Sequence, residues 1–335
     1  MTQRDRRAVV YRGSPPNHCC VDQMLRILPG GEWVVMFMTG GAGEPELANH
    51  IVLSRSEDEG RTWSAPEVVL RYDDRACLPS ELIVDAERLL AFVYTHDGGF
   101  GDWRCRTIES VDAGRTWSAP APLEPYPRNT FVRNLCEASW GEWVLPVQTY
   151  RPPEGVVERR ALLRHGYNGA LITADGGESW ERSELVGPTA GWAENNIVEL
   201  SDETLAMLIR ADGTGRLLRS DSSDRGRTWS DPVATEIPNP GSKFRLHRLS
   251  DGRICLVHNP SPVTRDPSLR RNPLALWVSD DDMETWGHRR VLTDFPGMLA
   301  YPDGVVDEAE RYVHFAFDYN RHDVIYWGAE LPKAE

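Results

Sequence analysis

Residues 56–63 read SEDEGRTW, and four near-copies follow: SVDAGRTW at 110–117, TADGGESW at 173–180, SSDRGRTW at 222–229 and SDDDMETW at 279–286. The shared pattern is S/T-x-D-x-G-x-T/S-W, with the glycine replaced once, by Met283. One copy reads as a tight turn between strands. An Asp bonds nearby backbone N–H groups and holds the chain reversal locally. Glycine takes the positive-φ position, the hydroxyls add local bonds, and Trp covers the turn with an apolar face. Five carboxylates spread along the chain do not converge on one point, so the boxes are a folding device rather than a catalytic or metal-binding set.

The box starts lie 54, 63, 49 and 57 residues apart. A period of 50–60 residues holding several short strands suits a propeller blade. Strand-like runs lie between the boxes: WVVMFM (33–38), HIVLSRS (50–56), ERLLAFVYT (87–95), EWVLPVQTY (142–150), NIVEL (196–200), TLAMLIRA (204–211), RICLVHN (253–259), LALWVSD (274–280) and RYVHFAFDY (311–319). Nothing reads as a long amphipathic helix. Dividing the length by the period predicts six blades. The strands around 311–329 then need a partner, and the segment around Arg7 to Arg12 supplies it, removing the open edges of the array. The expectation is an all-β chain, with residues 1–335 forming a single six-bladed β-propeller.

Composition narrows the function. Of 335 residues, 40% are hydrophobic and 26% charged, as in an ordinary globular protein, and a formal net charge of −14 argues against a nucleic-acid partner. A local Arg cluster can still bind a small anion. The N-terminal stretch has no apolar signal region, and the longest apolar run, 33–38, is too short to span a bilayer. Cys19, Cys20, Cys77, Cys105, Cys136 and Cys255 show no CxxC spacing. Free buried thiols are expected, and with them a reducing, cytoplasmic setting and no membrane partner. Nothing calls for a cofactor, and the acidic runs lack a metal-ligand series. Oligomeric state is not legible.

The boxes and the six-blade count resemble the Asp-box sialidase (neuraminidase) superfamily, in which the boxes are structural turns on the face away from the active site. WAENNIVELSDETLAMLIR (192–210) resembles its Glu-bearing segment, and the stretch 253–286 its later Arg-bearing blade. GMLAYPDGVVDEAERYVHFAFDYNR (297–321) resembles the segment carrying the nucleophilic Tyr, close to bacterial predicted neuraminidases. The resemblance implies a retaining, exo-acting glycoside hydrolase that releases a terminal sialic acid or related acidic sugar. Its partner is then a glycan.

An anionic sugar needs fixed cations, and Arg offers a planar fork to its carboxylate. A Tyr nucleophile, the known exception to the two-carboxylate scheme, needs a carboxylate to take its proton. The resemblance implies Tyr301 as nucleophile, Glu194 as its base, and Arg210 and Arg271 as clamp residues. Glu199 is the alternative to Glu194, and Arg265 and Arg270 are rivals of Arg271. Arg210 has surface pairing with Asp212 or Asp221 as its structural alternative.

The first blade departs from the family. YRGSPP stands where an Arg-Ile-Pro triplet is usual, so Arg12 is the candidate there. TGGAGEPELANH (39–50) has no Arg and only Glu44 and Glu46 as acids, making Glu44 the candidate general acid, with Asp22, Asp97 and Asp102 as alternatives. His18 is a candidate substrate contact, and Arg321 or Arg245 a third cation. An incomplete triad also fits a propeller glycosidase or polysaccharide lyase on another acidic saccharide, or a non-catalytic carbohydrate-binding propeller.

Overall fold

The structure is a computed structural model that describes residues 5–151, 165–261, 271–307, 309 and 311–333. The chain divides into two compact units, Met1–Pro122 with Leu292–Glu335, and Leu123–Val291. Each contains three antiparallel sheets of the meander type expected for propeller blades. Among the described residues there is no helix, and so none that could cross a membrane.

In the first unit, one sheet runs Cys20–Ile27, Trp33–Thr39, His50–Ser56 and Glu67–Leu70, and the next Ala76–Val84, Leu89–His96, Arg104–Ser110 and Ala121–Pro122. The third has Leu299–Asp307, Tyr312–Tyr319 and Asp323–Glu330, completed by the N-terminal strand Arg6–Arg12. The register runs from Arg6 opposite Gly328 to Arg12 opposite Asp323, so the partner expected for the last strands is the one they have. In the second unit, Asn195–Glu199, Leu205–Arg210, Arg216–Ser222 and Val233–Pro238 form one sheet. Arg245–Arg248, Ile254–His258, Ala275–Ser279 and His288–Val291 form another. The remaining sheet centres on Trp143–Tyr150 and Gly166–Thr173, with shorter pieces at its margins.

Sheets that pack on both faces need apolar residues on both, which is why Trp33–Thr39 is buried throughout. Val34 and Met36 point into a cluster with Cys77, Leu82, Ala91 and Val93 of the next sheet. Trp33, Val35 and Phe37 point the other way, onto Val10, Ala316, Val324 and Tyr326. All six cysteines are free and buried, as the sequence predicts.

The five boxes close as the sequence implies. In the first, Asp58 Oδ1 accepts from Thr62 N at 2.8 Å, its Oδ2 accepts from Thr62 Oγ1 at 2.7 Å, and Ser56 Oγ donates to Oδ1 at 2.9 Å. Trp63 Nε1 donates to Gly60 O at 3.1 Å. Asp112, Asp175, Asp224 and Asp281 repeat the carboxylate bonds. Met283 keeps the positive φ of the glycine it replaces, at 69°, and its side chain is buried in the core.

The first strands of the sheets carry an irregularity that the sequence did not disclose. Register shifts fall between Val21 and Met24, Pro79 and Glu81, and Ala300 and Asp303. Buried Arg26 joins these three strands. It donates to Asp303 Oδ1 at 2.8 Å, to Leu82 O at 2.6 Å, and to Glu81 Oε1. Burial works against its charge, but Glu81 and Asp303 outweigh that and raise its pKa.

Acid should unfold the protein in two stages. Burial lowers the pKa of His96 and His314 to about 4 and of His258 to about 3. The folded state then binds fewer protons than the unfolded one, so stability falls as pH drops from about 6.5 toward 4, each unit of depression being worth about 1.4 kcal/mol. The bond from the Thr62 hydroxyl leads those that lower Asp58 to about 2, and the Thr116 and Ser179 hydroxyls lead those that hold Asp112 and Asp175 well below the usual carboxylate range. Their contribution is full above about 4 and is lost as pH falls through the depressed values. Melting temperature against pH should show both limbs, and Asp112→Asn should flatten only the lower one.

Candidate functional site

Tyr301 lies on Leu299–Asp307, within the register shift, with a φ of 58°. Gln23 Nε2 donates to its carbonyl and, at 3.2 Å, to that of Ala300. Arg321 follows Tyr312–Tyr319 in a turn whose residues Asn320 and Arg321 both have positive φ. Its guanidinium pairs with Glu44 Oε2, and Asp318 Oδ1 accepts from its N–H at 3.2 Å. Burial opposes the Arg321 charge, but Glu44, then Tyr301 and Asp318, outweigh it and raise its pKa. The same surroundings enclose Cys19, whose thiol burial pushes up to about 12 despite the opposing pull of Arg321. Tyr301, Glu44 and Arg321 therefore share one electrostatic neighbourhood in the first unit.

His18 and Arg12 lie along a line from that turn. The His18 ring stacks on His322 at 5.2 Å between centroids, and His322 Nδ1 lies 2.9 Å from Asp323 Oδ1. Arg12 is 3.5 Å from Asp323 Oδ2, with a side chain 74% exposed. Gly13 makes this juxtaposition possible. Its N–H donates to His322 O at 2.6 Å, and a Cβ there would meet the carbonyls of His18 and His322 at 2.1 and 2.2 Å.

In the second unit, Glu194 precedes the strand Asn195–Glu199 and is buried. Arg210 closes Leu205–Arg210, and its Nη1 donates to both Glu194 oxygens at 3.0 and 2.8 Å. Nε and Nη2 reach Asp212 at 2.7 and 3.2 Å. The pairing with Asp212 is real, but Arg210 is 2% exposed and Glu194 is buried with it, so this is a buried ion pair whose outer carboxylate, Asp212, reaches the surface rather than a surface pair. Asp221 instead takes Arg219 at 2.8 Å. Arg271 is buried, with a φ of 56°, and Nη2 donates to Gly241 O at 3.0 Å. A Cβ on Gly241 would lie 2.7 Å from Asp212 Oδ1 and 3.9 Å from Arg210 Nε, so this glycine joins Arg271 to the Arg210 array. Tyr150 is fully buried nearby, its pKa raised by burial and then by Glu194.

The alternatives have local duties. Asp97 accepts from the N–H groups of Gly99 and Gly101, Asp102 pairs with Arg75 and Arg104, and Glu46 accepts from Ala42 and Gly43. Glu199 accepts from Ser139 N and Oγ at 2.7 and 2.6 Å. Asp22 is buried in the first bulge and Arg245 in the strand it opens. Arg265 and Arg270 lie outside the described residues. Among the described residues no cluster of His, Cys, Asp and Glu could hold a metal ion. Sequence reasoning did not identify Gln23, Gly241 or the His322–Asp323 pair. Only the positive φ of Gly241 had a local sequence signal, in the turn NPGS.

With this geometry in place, comparison with known proteins is informative. The model of the BNR repeat-like domain family matches residues 31–315, and the chain belongs to that family. It is 27% identical over 327 residues to a sialidase of Micromonospora viridifaciens, covering 84% of this chain and 48% of that protein, so it spans about half its relative's length. Among solved structures it resembles the Hadza microbial sialidase Hz136, with a TM-score of 0.75, 16% identity, and coverage of 93% and 66% of the two chains. A Dyadobacter fermentans protein of unknown function gives 0.74 at 18% identity, covering 98% and 99%. Trypanosoma rangeli sialidase, solved in complex with 2,3-difluorosialic acid as a covalent intermediate, gives 0.71 at 15% identity, covering 97% and 59%. The fold is the all-β, six-bladed β-propeller of these sialidases.

The link through Gly241 can be tested. Gly241→Ala should destabilise the protein by about 1–3 kcal/mol in urea unfolding, combining positive-φ strain with the clash on Asp212. Gly252→Ala, at a φ of 89° with nothing nearer than 4.0 Å, isolates the backbone part. Equal losses in the two variants would remove the proposed contact with Asp212.

Proposed function

We propose that the protein is an exo-acting, retaining glycoside hydrolase of sialidase type, releasing a terminal sialic acid or related acidic sugar. The observation that carries this reading is the placing of Tyr301 on a strained bulge beside the Arg321 cation. Membership of the BNR repeat-like family and the relatedness to sialidases support it.

In this mechanism Tyr301 Oη attacks the anomeric carbon while Glu194 takes the phenol proton. The glycosidic bond breaks and the leaving oxygen takes a proton from the general acid, for which Glu44 is proposed. Water, giving a proton to the Glu44 carboxylate, then attacks the anomeric carbon; the glycosyl–tyrosine bond breaks, and the leaving phenolate takes its proton back from Glu194, with retention of configuration. Arg210 and Arg271 fix the sugar carboxylate, with Arg321, Arg12 and His18 as further contacts. A carboxylate reaching Arg321 competes with Glu44 for the guanidinium, which loosens the ion pair and lets Glu44 enter proton transfer.

A fluorogenic sialoside tests this reading. Glu194→Gln should lower kcat by roughly 10²–10⁴-fold and lower the melting temperature as well, because it uncharges one partner of the buried pair with Arg210; Tyr301→Phe should lower kcat by more, with a melting temperature near that of the wild type. Unimpaired turnover by Tyr301→Phe would falsify the mechanism.

A second reading, a glycosidase or lyase acting on another acidic saccharide, draws on Arg12, which is mostly exposed and tied to Asp323. It predicts turnover of uronate-containing polysaccharide in place of sialosides. An unsaturated product absorbing in the near ultraviolet would identify the lyase.

A further inference from the structure

Tyr301 occupies a backbone conformation that needs outside support. Its φ of 58° is in the left-handed region, which a side chain as large as tyrosine takes only when its surroundings impose it. Its own sheet gives incomplete help. Ala300 pairs with Asp318 and Asp303 with Ala316, but the ladder skips Tyr301 and Pro302 between them.

Support comes from a different sheet. Gln23 is fully buried and donates Nε2 to the carbonyls of Ala300 and Tyr301, which belong to the two peptide units on either side of the Tyr301 Cα. It can reach them because it sits in a bulge of its own, between Val21 and Met24, which turns it off its ladder. Two bulges on first strands of different sheets thus face each other and are joined by one carboxamide. Among the described residues Gln23 Oε1 accepts no hydrogen bond, so the side chain engages its neighbours through its donor end. Holding the two strands together does not require it, because Arg26 and Asp303 already bridge them at 2.8 Å.

We infer that Gln23 is a positioning residue for the Tyr301 phenol, fixing the bulged peptide that aims Oη. The inference rests on the reading of Tyr301 as nucleophile. Misplacing a reacting group by about an ångström can cost on the order of 10²-fold in rate.

The test uses the full chain with Gln23→Met, which keeps length and volume and removes both donors. With a fluorogenic sialoside, kcat should fall about 10–100-fold while KM stays within about threefold. Covalent labelling of Tyr301 by 2,3-difluorosialic acid should slow by the same factor. A kcat within twofold of wild type, or an effect confined to KM, overturns the inference. Should Gln23→Met fail to fold, Gln23→Glu takes its place. Its protonated carboxyl can donate one hydrogen bond, so its kcat relative to wild type should recover as pH falls, and no recovery overturns the inference. Should the wild type neither cleave sialosides nor become labelled, the sialidase reading fails, and a crystal structure of Gln23→Met decides the support of Tyr301 alone. Tyr301 leaving the left-handed region upholds that support, and Tyr301 remaining there overturns it.

Discussion

Among the described residues the first strands of neighbouring sheets within a unit share no backbone ladder, so buried side chains do much of the work of fixing one against the next. That constraint explains why these strands carry buried polar residues. In the first unit Arg26 spans three strands, and Gln23 reaches from one bulge to another. In the second unit amides do the same work. Asn134 both donates to and accepts from Ile197, Asn195 donates to Val147 O, and Asn196 accepts from Leu246 N. Each bond satisfies a backbone group that would otherwise be buried without a partner. Removing the cation of such a set is more damaging than never having had it, because the carboxylates remain in the low-dielectric interior.

The same arrangement produces reactive geometry. A strand paired on one side and pinned by side chains on the other can hold a bulge that a regular ladder would erase. Tyr301 stands in one such bulge, Asp22 and Gln23 in another. Arg210 illustrates a second route: it is the last residue of its strand, and two carboxylates spaced along the chain meet on its planar fork.

The sequence was most legible where structure is local. The boxes are closed by bonds spanning two to four residues, so their repeat exposed the turns and the number of sheets. Runs such as HIVLSRS and RYVHFAFDY were recognisable because each holds enough apolar residues in a short span, Ile51–Leu53 in the one and Val313, Phe315, Ala316 and Phe317 in the other, to read as a strand. The strands Cys20–Ile27, Ala76–Val84 and Leu299–Asp307 were not recognised. They contain Asp22, Gln23, Arg26, Pro79, Glu81, Pro302 and Asp303, which read as loop residues when their partners in other sheets are out of view. Of the candidate site, Tyr301, Glu194, Arg210 and Arg271 were visible only through resemblance. The role of Gly241, thirty residues from Arg271, depends on a meeting that spacing does not encode.

The sheet joining Arg6–Arg12 to Asp323–Glu330 has a consequence for biosynthesis. Of the two strands Arg6–Arg12 is made earlier, and it cannot find its neighbour, Asp323–Glu330, until the roughly three hundred residues between them have been made. Until then Arg6–Arg12 remains an unpaired edge available to other chains. The contact is also among the most distant in sequence, so closing it costs more loop entropy than any hairpin within a sheet. Nascent chains stalled before this strand should therefore be the species most dependent on chaperones.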